Sequence, residues 1–120
     1  MPFRDPRKSL RDILDNIERI ERFTGGMDYA VFCNNEATIF AVQYALLAIT
    51  EAAHRLGDEA ETVCPGQPWR DIRGLGNRLR HGYDAIDLDL IWATVKSGLP
   101  FLKSDVEKAF RDLPPRKNPI

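Results

Sequence analysis

The sequence predicts an all-α protein, an antiparallel bundle of four to five helices with short connections. Three observations predict it. Apolar residues recur at intervals of three and four in separate stretches along the chain, no stretch alternates apolar and polar residues as a half-buried strand would, and glycine, proline and asparagine punctuate the stretches at helix-length intervals. The 120 residues suffice for one domain with a single core, ordered from about residue 9 to 112. Hydrophobic content of 43% with 29% charged residues fits a globular chain, and the net charge of −1 confines any polyanion site to a local patch. Cys33 and Cys64 stand outside any metal-ligand spacing and read as reduced thiols, and Met1 to Lys8 is charged with no apolar run behind it, so a cytoplasmic protein is expected.

In chain order, Ser9 with Asp12 reads as a capping box. Leu10, Ile13, Leu14, Ile17 and Ile20 then form one apolar stripe, supported on the wet side by Asp15–Arg19 and Glu18–Arg22 pairs, until Thr24, Gly25 and Gly26 stop the helix. A short segment, Met27 to Cys33, follows. Asn34 or Asn35 caps a long helix from Glu36 to Leu56, apolar almost all round and expected to be the central buried one. It is too interrupted by Thr38, Gln43, Thr50 and Glu51 to span a bilayer. Gly57 ends it, Asp58 to Cys64 forms a short turn, and Pro65-Gly66 is a break. Pro68 opens the next helix, with Trp69, Ile72, Leu75 and Leu79 as its core stripe, and Gly82 closes it. Asp87 caps a last helical stretch carrying Leu88, Ile91, Trp92, Val95, Leu99, Leu102, Val106 and Phe110, which should kink or restart near Pro100 and end at Leu113 to Pro115. Trp92 is read as core or interface.

Positive charge gathers in the segment Pro68 to Asp84, which carries Arg70, Arg73, Arg78 and Arg80. On its helix Asn77 and Arg78 lie one turn before His81 and share a surface with it. An imidazole at a helix end is accessible for proton transfer, and a guanidinium beside it can hold a phosphate through two parallel hydrogen bonds, which is enough for metal-free RNA cleavage. A histidine at a helix C-terminus is also favoured by the helix dipole, and arginines commonly form a solvated face; spacing alone favours this plainer reading. Glu51, on a mostly apolar helix, requires water or a partner. The plainer expectation is a structural ion pair with one of the arginines; a compatible functional reading has it orient an arginine or His81 from behind.

Trp69 after a proline, then Ile72, Gly74, Asn77, Leu79, His81 and Tyr83, followed by Ile86, Asp87 and Ile91-Trp92, resembles the HepT family of HEPN-domain ribonuclease toxins. The family signature is an arginine, four residues, a histidine, one residue and a tyrosine. His81 and Tyr83 match it, while the arginine position is Gly76. The resemblance implies a homodimeric HEPN-like bundle with two histidine sites at a shared cleft, and an endoribonuclease toxin with His81 as its acid or base. It does not place the phosphate-holding arginine, so proximity to His81 makes Arg78 and Asn77 the other catalytic candidates and Arg73 and Arg80 the RNA phosphate candidates, with Glu51 behind them; no cluster of His, Cys and carboxylates has metal-ligand spacing, and no cofactor is expected. The resemblance further implies a nucleotidyltransferase antitoxin as partner, adenylylating Tyr83. The alternative opened by Gly76 is a degenerate HEPN protein that has lost cleavage and acts as a helical partner of the nucleotidyltransferase.

Overall fold

In the computed structural model the described residues are 5–81 and 87–114. Helix α1 spans Pro6–Thr24, with Asp5 as its cap, accepting from the Arg7 backbone N–H at 3.0 Å. It therefore starts three residues before Ser9, which is buried inside the helix, and the expected capping box is not used. An aspartate before a proline is the stronger start, because the carboxylate takes a free N–H and the proline ring pre-sets the first helical φ. Asp12, released from capping, receives Lys8 at 3.3 Å and Arg55 of a later helix at 2.6 Å. The expected Asp15–Arg19 pair is likewise not formed: Arg11 reaches Asp15 at 3.9 Å, and Arg19 donates to Asn16 at 3.1 Å. The predicted stripe from Leu10 to Ile20 is buried throughout. At the other end Gly26 takes a φ of 79°, in the left-handed region where a Cβ is disfavoured.

Helix α2 is a single turn, Tyr29–Cys33, started by Asp28, which accepts from the Val31 N–H at 2.8 Å. Helix α3 spans Glu36–Leu56, with Asn35 accepting from the Thr38 N–H at 3.0 Å, and ends at Gly57. It packs against α1 on one side, and its buried residues Val42, Ala45, Leu46, Ile49 and Thr50 form the middle of the core. The expectation of a wholly buried central helix is corrected by Phe40 and Tyr44, which are 60% and 76% exposed. One turn apart, they share a face that neither α1 nor the helix on the other flank covers.

A one-turn helix α4, Glu59–Val63, leads to α5, Trp69–His81, which packs on α3. Then come α6, Leu88–Ala93, a π-helical turn at Thr94–Gly98, and α7, Leu99–Asp112. Asp87 caps α6 by accepting from the Leu90 N–H at 3.1 Å. The restart expected near Pro100 takes the form of that π turn. Proline has no N–H for the preceding turn and its ring would press on the carbonyl four residues back, and a wider turn just before it relieves both. Helix α7 returns along α1, where Lys103 meets Glu21 at 3.0 Å and the Arg11 guanidinium lies 4.6 Å from the Phe110 ring centre. Trp92 is half-buried against Phe32, with ring centres 5.0 Å apart. Among the described residues no helix is long and apolar enough to cross a membrane.

Candidate functional site

Helix α5 is fixed at its two ends by different means. At the start Trp69, 1% exposed, is buried to its indole nitrogen, which donates to the Cys64 carbonyl at 2.7 Å. Ile72 and Leu79 pack on the core at its edge. In the second half the backbone itself meets α3: Gly76 is buried, and a Cβ built there would lie 2.6 Å from Thr50 Oγ1. The glycine that stands at the motif's arginine position is thus in the interface between α3 and α5. The sequence signal for it is an interior helical glycine, which is not specific: a Cβ at Gly74 on the same helix would meet nothing within 4 Å.

The polar residues after Gly76 are turned to solvent. Asn77, Arg78, Arg80 and His81 are all exposed, on the last turns of α5. Arg80 Nη1 donates to Glu51 Oε1 of α3, and its Nη2 donates to Asn77 Oδ1 at 2.9 Å. The ion pair expected for Glu51 therefore exists, with Arg80 as its partner. It ties the end of α5 to α3 and leaves the remaining guanidinium N–H groups available to a ligand oxygen. Arg78 has no ion pair with any described residue. Among the described residues it is the cation without an ion pair that stands nearest His81 along the helix, three positions away. Tyr83 and Gly82 lie outside the described residues.

Arg73 is placed differently from the other candidates. Its guanidinium grips Glu61 through contacts of 3.1 and 3.3 Å and the Gly57 carbonyl at 2.7 Å, binding the start of α5 to the turn after α3. The same pairing holds the Glu61 carboxyl below its ordinary value. Cys64 is the opposite case: burial first, and Asp105 second, push its thiol up to about 11, so it is an inert core side chain and no nucleophile. Beside the Glu51–Arg80 pair, Tyr44, Leu47 and Arg55 line a shallow open groove between α3 and α1. Among the described residues no group of three or more His, Cys, Asp and Glu side chains is arranged to hold a metal ion.

A family model described as "Ribonuclease HepT-like" matches residues 13–109, most of the chain and all of the described part of α5. This chain belongs to the HepT-like ribonuclease family. Its similarity extends to full-length relatives. A Methanocaldococcus jannaschii protein named provisionally as an RNase (MJ0125) is 35% identical over 94% of this chain and 97% of its own. A second from that organism, also named provisionally as an RNase (MJ1380), is 37% identical over 89% and 98%. A Thermococcus cleftensis protein named "Probable ribonuclease HepT" is 35% identical over 88% and 96%. No solved structure matches the chain. The exposed end of α5 brings an imidazole, an amide and two guanidinium groups together within the matched region.

Proposed function

We propose that this HepT-like chain is a metal-independent endoribonuclease and the toxin of a toxin–antitoxin pair, with His81 as its acid or base. The observation that carries the reading is the exposed last turn of α5. There His81 and Arg78, which has no ion pair among the described residues, lie one turn apart, next to the Arg80–Asn77–Glu51 network. In such a site the ribose 2′-oxygen attacks the adjacent phosphorus, His81 takes the 2′-hydroxyl proton or delivers one to the departing 5′-oxygen, and the products carry a cyclic phosphate and a 5′-hydroxyl. Arg78 neutralises the phosphate oxygens as negative charge builds on them, Asn77 is a supporting donor, and Arg80 is an additional phosphate contact held in place by Glu51. The Arg73 contact with Glu61 favours a fold-holding role for that residue over a direct phosphate contact.

Two further parts of the proposal concern partners. The exposed pair Phe40 and Tyr44, on the helix that carries Glu51, favours a homodimer in which a second copy covers this face and the two His81 sites share a cleft. Tyr83, two residues beyond His81, is the expected target of a nucleotidyltransferase antitoxin. An adenylyl group there would put negative charge and bulk at the phosphate site. Gly76 favours one competing reading, a degenerate binding partner without cleavage. Expression of the wild-type chain and of His81→Ala in a host cell, with growth and RNA integrity followed together, separates the two. Growth arrest with RNA loss in the wild type alone supports the enzyme, while intact RNA in both supports the binding partner.

A further inference from the structure

The contact between Gly76 and Thr50 does more than fill space. A Cβ at position 76 would meet Thr50 Oγ1 at 2.6 Å and Thr50 Cβ at 2.9 Å, closer than real Cβ atoms come. Rotation of Thr50 does not relieve the contact. The residue is wholly buried, its hydroxyl donates to the Leu47 carbonyl at 2.8 Å, and its Cβ, itself 2.9 Å away, moves only with the α3 backbone. The next residue along α3 is Glu51, which holds Arg80, and Arg80 in turn holds Asn77, the residue after Gly76. The spacing of α3 and α5 is therefore set at the same turn where the polar network forms.

We infer that Thr50 is a positioning residue of the ribonuclease site: by packing on the bare backbone of Gly76 it fixes how deeply α5 sits on α3, and so how Arg80 and Asn77 are held beside His81. A side chain at position 76, an arginine included, is excluded unless position 50 gives up its own. Position 76 in this chain is thus a packing position that works with a small residue, and the site's cationic charge comes from Arg78 and Arg80. The effect on cleavage rests on the ribonuclease reading above, whereas the contact itself does not.

An exchange of the large and small partners tests this. Full-length wild type, Gly76→Ala, Thr50→Gly and the double variant are melted by circular dichroism, and their single-turnover cleavage of a model RNA is measured at a temperature where all four are folded. In the Thr50 background Gly76→Ala should lower Tm by about 5–15 °C, the usual cost of overpacking a core. In the Thr50→Gly background the same change should raise Tm, because alanine then replaces a helical glycine with nothing opposite it. Gly76→Ala should also slow the cleavage step by roughly 10–100-fold with little change in RNA affinity, as small misplacements of a site do, and the double variant should recover most of that loss. Gly76→Arg should slow cleavage as well. A Tm effect of the same sign in both backgrounds would overturn the contact, and a folded Gly76→Ala that cleaves at the wild-type rate, or a Gly76→Arg that cleaves faster, would overturn the positioning role. If the wild type cleaves no RNA, the ribonuclease reading fails, and the Tm exchange still decides the contact.

Discussion

Arg78 and Arg70 stand on the same helix, both exposed, yet only Arg78 lies within one turn of His81, with Arg70 about three turns back. If the arginines act locally, Arg78→Ala should reduce RNA cleavage by about 10-fold or more while Arg70→Ala costs little. The value reflects one lost charge-assisted phosphate contact of roughly 1.5–3 kcal/mol. Equal losses, abolished alike by salt, would mean that the two supply only diffuse attraction. The sequence showed this grouping of Asn77, Arg78 and His81 because helical spacing alone defines it. It also anticipated that Glu51 would find an arginine. What it could not show was which one: Arg73 and Arg80 are both plausible by spacing, and the choice depends on which side of α5 faces α3 and which faces the turn after Gly57. The role proposed for Tyr83 rests on family resemblance alone. If a nucleotidyltransferase antitoxin modifies it as proposed, Tyr83→Phe should stay folded and, if the protein is active, keep some toxicity while escaping adenylylation, as intact-mass measurement after co-expression would reveal; full adduct on the variant would place the modification elsewhere.

Helix α5 is the element on which the site depends, and its fixed point is Trp69, 1% exposed with its indole N–H satisfied. Trp69→Ala should cost about 3–5 kcal/mol, from lost burial and the cavity left behind, and lower Tm enough for thermal unfolding to show it plainly. A shift of a degree or two would mean that α5 is held mainly by its polar contacts. The helices themselves were readable because the 3.6-residue period, the Asn35 and Asp87 caps and the Gly57 stop are local signals. What they missed was partly local and partly tertiary. The Ser9 capping box lost to the Asp5-Pro6 start a turn earlier, and the interior glycine at 76 gave no hint of its partner, since Thr50 is 26 residues away in sequence and meets it only after α3 and α5 pack.

On the scale of the whole molecule, several large apolar side chains face solvent, with Tyr44 and Phe40 the most exposed of them. The sequence called α3 buried because it is apolar almost all round, but a helix is covered only where a neighbour lies against it, and Phe40 and Tyr44 are left facing solvent. If a second copy covers that face, sedimentation should show a dimer for the wild type, and the double change Phe40→Asp with Tyr44→Asp should give a folded monomer with little cleavage. A wild-type monomer that cleaves RNA would remove the shared cleft from the mechanism. The near-neutral charge of the chain fits a site that is local rather than spread over the surface. The proposed role of His81, the acid or base step without a metal ion, is decided by the cleavage rate of a defined RNA in excess EDTA by purified wild type and by a His81→Ala variant with the same melting curve. Cleavage should persist in EDTA for the wild type and fall by about 10²–10⁴-fold in the variant, the usual worth of a positioned acid or base. Equal rates in the two folded proteins, or a wild-type activity lost to EDTA and restored by added metal, would contradict it.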